Sequence, residues 1–160
     1  MNRFTLILML LTVSPAGFAA SAINTPQQVS TAINHLGAPA FFASLSNDDV
    51  DKLMDKIGSG QSAWIALAPK LAEGADGANA EGLGIELAYS LPKNPAAVLK
   101  VVTLDDSDNP VLQVSRVCGI PFIETVPRGY EARALRALKT LNEPSLQQMK
   151  ARCINALRHP

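Results

Sequence analysis

A capping residue followed at once by proline recurs along this chain, at Thr25-Pro26, Asn94-Pro95 and Asn109-Pro110. The side-chain oxygen of the first residue accepts an orphan N–H of a first helical turn, and the proline brings a fixed φ and lacks an N–H that this turn cannot use. A chain punctuated in this way is steered toward many short helices. At the first of these pairs Gln28 completes a capping box, and Val29, Ile33 and Leu36 follow at helical spacing up to Gly37.

The same reading extends along the sequence. Ser46 caps a segment with Asp48 and Asp49 in its first turn, an apolar stripe of Val50, Leu53, Met54 and Ile57, and Gly58 at its end. Its other face carries Asp51, Lys52, Asp55 and Lys56 and reads as solvated, with an Asp48–Lys52 pair. Ser62 to Glu73 forms a third helix with Trp64, Leu67, Ala68 and Leu71 on one side, kinked at Pro69. Asp76 caps a fourth that runs through Leu83, Leu87, Ala88 and Leu91. Gly82 and Gly84 each weaken it by about 1 kcal/mol, which suggests close approach of a neighbouring helix. Asn94-Pro95 opens a helix reaching toward Leu104. After Asn109-Pro110 the pattern divides: Val111, Val114, Val117 and Cys118 suit a short helix, whereas Leu112, Val114, Arg116 and Cys118 alternate like a strand.

Pro39 to Leu45 has no assigned conformation, although both Phe41 and Phe42 are expected in the core, and Ile120 to Val126 reads as a buried or extended connector. Helices near Glu131 to Leu141 and Ser145 to Leu157 complete the series. The fold class expected is all-α, a compact bundle or short solenoid of about seven short helices.

The amino terminus carries an address. Arg3, the apolar run Phe4 to Val13, the breakers Pro15 and Gly17, and Ala20-Ser21-Ala22 compose a secretory leader with a cleavage site. Residues 1–22 are therefore expected to be a signal peptide and 23–160 a single helical domain in the periplasm or secreted, without a membrane anchor once the leader is removed. An oxidising destination pairs the two cysteines, Cys118 and Cys153, and closing that loop stabilises the fold by about 3 to 4 kcal/mol in the loop-entropy account.

Charge and motif content narrow the function by elimination. The chain's 14 Lys and Arg balance 14 Asp and Glu, which speaks against a nucleic-acid partner. Gly60-Gln61-Ser62-Ala63-Trp64 lacks the last glycine of a nucleophile elbow, and Leu83 stands where a phosphate loop between Gly77 and Gly82 needs lysine. His35 and His159, with two paired cysteines, offer no metal set, and Asp105, Asp106 and Asp108 run into Pro110 where a Ca²⁺ loop needs an oxygen ligand. No cofactor or metal is expected.

The segments Trp64 to Pro69, Glu81 to Leu91, Asn94 to Leu99 and Cys118-Gly119-Ile120-Pro121-Phe122-Ile123-Glu124 resemble small exported helical proteins of proteobacteria. The resemblance covers most of the chain beyond the leader. It implies an envelope or secreted helical domain and carries over no catalytic residue.

Two functional readings follow. The first is a non-catalytic protein that binds another protein, such as an inhibitor or immunity-type partner of an envelope protein, with Trp64, Asp76, Glu81 and Glu124 as candidate binding residues. Trp64 has a core alternative, since it shares a stripe with Leu67 and Leu71. The second is a small envelope hydrolase using a carboxylate pair such as Asp76 and Glu81, which requires two carboxyl groups facing one concavity.

Overall fold

The computed structural model describes residues 23–160, so the leader and its cleavage site lie outside the described residues. Helix α1 (Pro26–Leu36) begins as its local chemistry dictates: the Gln28 N–H donates to Thr25 Oγ1 at 3.2 Å and the Thr25 N–H to Gln28 Oε1 at 3.1 Å. Gly37, at φ 80°, ends α1 and leads into α2 (Ala38–Ser44). The segment left unassigned by pattern is thus helical, and its Phe41 and Phe42 rings are both buried.

Helix α3 (Asn47–Gly58) starts on Ser46, whose Oγ accepts the Asp49 N–H at 3.2 Å, and buries Leu53, Met54 and Ile57. Lys52 pairs with Asp49 at 3.3 Å, one residue later than expected. The third predicted helix is two pieces, α4 (Ser62–Ile65) and α5 (Ala68–Ala72). Pro69 has no N–H for the Ile65 carbonyl, so the chain tightens at Ala66–Leu67 instead of kinking within one helix. Lys70 then ties α5 to α1 through Ser30 Oγ at 2.9 Å and Asn34 Oδ1 at 2.8 Å.

Helix α6 (Gly77–Ser90) lies at the centre, packed mainly on α3 and also against α5, α7 (Pro95–Val101) and α8 (Val114–Cys118). The crowded glycines are not the two expected. A Cβ on Gly82 or Gly84 would meet Met54 Cγ at 3.9 Å or Arg116 Nε at 3.8 Å, ordinary contacts. A methyl on Gly58 would instead meet the Glu86 carboxyl, and one on Gly74 the backbone of Ala38 and Pro39. The tight crossings are at the end of α3 and at the start of α2.

Helix α7 stops at Val101, short of Leu104, because Thr103 turns to pair with Gln113. The Thr103 N–H donates to the Leu112 carbonyl and the Val114 N–H to the Thr103 carbonyl, both at 2.8 Å. Over 110–118 the helical pattern prevails, as a 3-10 turn (Pro110–Leu112) and α8 either side of a single parallel bridge at Gln113, and the strand alternation over 112–118 does not form. Beyond an irregular strap, residues 119–129, come α9 (Tyr130–Thr140), a second 3-10 turn (Pro144–Leu146) and α10 (Gln147–Arg158).

Cys118 and Cys153 form a disulfide, Cα to Cα 5.2 Å, joining α8 to α10. The fold is all-α, with no strand among the described residues beyond the one bridge, and its buried side chains form one continuous cluster. No helix among the described residues is long and apolar enough to cross a membrane.

Candidate binding groove

The groove is built where α6 meets the strap. Ile85 and Tyr89, four residues apart, share the outward face of α6, while α3 takes the adjoining face through Gly82, Glu86 and Ser90. On the other wall, the strap leaves the disulfide at Cys118 and reverses at Ile120, which sits at φ 60°. A β-branched residue in the left-handed region is strained by about 1 to 3 kcal/mol. The surroundings hold it there: Cys118 is tethered two residues before, Pro121 follows and disfavours helical backbone at Ile120, and the side chain packs on the core.

This reversal delivers Phe122 between two tyrosines. Its ring meets Tyr89 edge-on at 4.8 Å and Tyr130 edge-on at 4.8 Å. Tyr130 is 1% exposed, its Oη has no hydrogen-bond partner among the described residues, and burial pushes its phenol far up. Above this stack lies an open groove of about 390 Å³ lined by Ile85, Tyr89, Phe122, Ile123, Glu124 and Thr125. Two of its lining residues are exposed hydrophobic side chains, Ile123 at 66% and Tyr89 at 36%, and Val126, beyond the lining along the strap, is exposed as well.

The residues singled out by sequence fall in different places. Glu124 lines the groove. Glu81 is exposed one turn before Ile85 on the same face of α6. Asp76 is exposed at the N-cap position of α6, makes no side-chain cap hydrogen bond, and does not line the groove. Trp64 is 5% exposed, within the core cluster, with Lys56 Nζ 4.9 Å from its ring centroid, so it presents no open face to a partner. The structure thus brings one of the four into the groove and a second onto its helix face.

Sequence reasoning missed Ile85, Tyr89, Phe122 and Ile123 as site residues: it read Ile120 to Val126 as a buried or extended connector, whereas residues 123–126 are exposed. A second, more polar hollow of about 260 Å³ is bordered by Asp105, Ser115, Arg152, Asn155 and His159. There the exposed Asp105 accepts the Ser115 N–H on Oδ1 at 2.9 Å, satisfying a first-turn donor of α8.

One carboxyl group has unusual electrostatics. Burial, then the nearby charge of Asp55, pushes Glu86 up to about 7, and Lys93 partly offsets this. Glu86 lies half-buried against Gly58 at the α3–α6 crossing and lines neither hollow. Asp76 and Glu81 stand five residues apart along α6 on different faces. Among the described residues no three His, Cys, Asp or Glu side chains gather as metal ligands.

Comparison with known protein families, with curated proteins and with solved structures found no match to this chain.

Proposed function

We propose that this chain is an exported, non-catalytic interaction protein that receives a segment of another protein in the groove between α6 and the strap. The observation that carries the reading is the pair of exposed hydrophobic side chains, Tyr89 and Ile123, that line an open groove backed by an aromatic stack, with Val126 exposed farther along the strap. Water contact with such a surface is unfavourable by about 25 cal/mol for each Å² left uncovered, and a partner that covers it recovers this. The Cys118–Cys153 disulfide and the leader-like residues 1–22 support an oxidising destination, periplasmic or extracellular. Helices arranged around a central α6, rather than stacked in sequence order, favour a compact bundle over a solenoid, residues 23–160 acting as one domain. Likeness to small exported helical proteins of proteobacteria agrees with this assignment and adds no activity to it.

The hydrolase reading requires two carboxyl groups across one hollow. Glu124 is the carboxylate at the groove, and neither Asp76 nor Glu81 lines it opposite Glu124. The interaction reading is therefore preferred.

A photo-crosslinking amino acid placed at position 123, in cells exporting the chain, tests it. A discrete light-dependent adduct is expected at 123 and none at the exposed Asp106 position, and Tyr89→Ser should abolish the adduct. The same adducts at both positions, or none at 123, would overturn the proposal.

A further inference from the structure

We infer that the occupant of the groove is an extended polypeptide segment presenting a lysine or arginine flanked by aliphatic residues, an inference that rests on the interaction role proposed above. Charge selects the cation. Glu124 lines the groove, Glu81 stands one turn along the same face of α6, and no Lys or Arg side chain lines it. The ion pairs among the described residues, Lys52–Asp49 and Lys100–Glu143, involve neither carboxylate.

An apolar occupant would cover Glu124 and take it from water without a partner, a cost that grows with burial. An acidic occupant would add repulsion. A basic side chain resolves both: its aliphatic stem lies along Ile85 and Phe122, its charged head reaches the Glu124 carboxylate in a charge-assisted hydrogen bond, and the Tyr89 ring offers a cation–π face.

The backbone selects a polypeptide over a small amine. Among the described residues, the N–H and C=O groups of Phe122 through Val126 hydrogen-bond to no other described group, and Ile123 through Val126 are all exposed. A stretch of strap this open presents main-chain donors and acceptors that an extended chain can pair with, in the manner of strand addition. Exposed apolar surface also continues along the strap at Val126, outside the groove's lining.

The test pans a displayed library of random dodecapeptides on the chain without residues 1–22, with counter-selection on the Ile123→Asp variant; Trp64 fluorescence verifies that each variant is folded. Enriched peptides should carry a Lys or Arg between aliphatic residues. In a synthetic peptide of the enriched sequence, replacing that cation by norleucine should weaken binding at least tenfold. Glu124→Gln should weaken the cationic peptide to a similar extent and bind the norleucine peptide at least as tightly as the parent does. Amide NMR shifts should appear at Ile85, Tyr89, Ile123 and Glu124. Peptides that map to the groove but lack a cation, or indifference to Glu124→Gln, would overturn this inference and leave the groove as a docking site. Failure to enrich any peptide that maps to the groove would overturn both.

Discussion

Glu86 shows how one residue's surroundings set a property of the whole chain. Its carboxyl is partly buried against Gly58, with Asp55 across the crossing and Lys93 on its own side, and burial dominates, raising it from 4.5 to about 7. A carboxyl whose folded value lies above its unfolded value holds its proton more tightly when folded, so the folded state is favoured at low pH. Its contribution is complete below about pH 4.5 and lost as pH rises through about 7. Asp49 acts with the opposite sign: the Ser46 hydroxyl and Lys52 hold it below its usual value of 3.8, so its effect falls in more acid solution, outside that window. Urea unfolding followed by Trp64 fluorescence should therefore show stability falling between pH 5 and 8 by on the order of 1 to 2 kcal/mol, less than the full shift implies because the carboxyl still contacts water. Glu86→Gln should flatten this slope and raise stability at pH 8. An unchanged slope in that variant would assign the pH dependence to another group.

At the scale of elements, the end of α3 is finished locally by Ser59, whose hydroxyl donates to the Lys56 carbonyl at 2.7 Å, and from afar by side chains at and just past the end of α6. The Ser90 hydroxyl donates to the Ile57 carbonyl, Lys93 Nζ to the Gly58 carbonyl, and Asn94 Nδ2 to the Gly60 carbonyl and Ser62 Oγ, the last two at 2.9 Å. Asn94 also caps α7, its Oδ1 accepting the Ala97 N–H at 3.2 Å. Replacing it with alanine removes a cap and two long-range hydrogen bonds, an expected loss of about 2 to 3 kcal/mol. Asn94→Ser keeps a capping oxygen but cannot span to Gly60, so it should lose roughly half as much, read as the shift in urea midpoint at constant m. Equal stability of the serine variant and the parent would mean the tie to α3 contributes nothing. The asymmetry in this residue explains what the sequence disclosed. The Thr25, Ser46 and Asn94 caps act within four residues, so the starts of α1, α3 and α7 could be read directly. The early stop of α7 at the Thr103–Gln113 bridge and the crowding at Gly58 depend on partners distant in sequence. The groove is of this second kind. Glu124 and Glu81 were identifiable as exposed carboxylates, but Tyr89 and Phe122 become neighbours only after α6 and the strap are brought together, and no spacing rule encodes that meeting.

For the molecule as a whole, the disulfide determines whether its last third stays docked. Helix α10 sends only Cys153 and Leu157 fully into the core, with Met149, Ile154 and Ala156 packed at its edge. Burying one leucine side chain contributes about 1.5 to 3 kcal/mol, modest against the order imposed on a helix of this length. Helix α3, by contrast, buries Leu53, Met54 and Ile57 against α6 and has its carboxyl end held from outside. The Cys118–Cys153 link spans 35 residues of sequence and encloses the strap, α9 and most of α10, so it limits the freedom of that whole stretch in the unfolded chain, by about 3 to 4 kcal/mol. Because the strap's strained Ile120 lies two residues beyond Cys118, the same link also supports one wall of the groove. The Cys118→Ala, Cys153→Ala double variant should thus lose about that much stability in urea, and its loss should be uneven. Native-state hydrogen exchange should show amides of α10 and of the strap opening well below the global unfolding energy while those of α3 and α6 keep theirs. Uniform loss of protection across all four would mean that the fold yields as one unit, and that the groove owes its shape to the packing of Phe122 between Tyr89 and Tyr130 rather than to the covalent link.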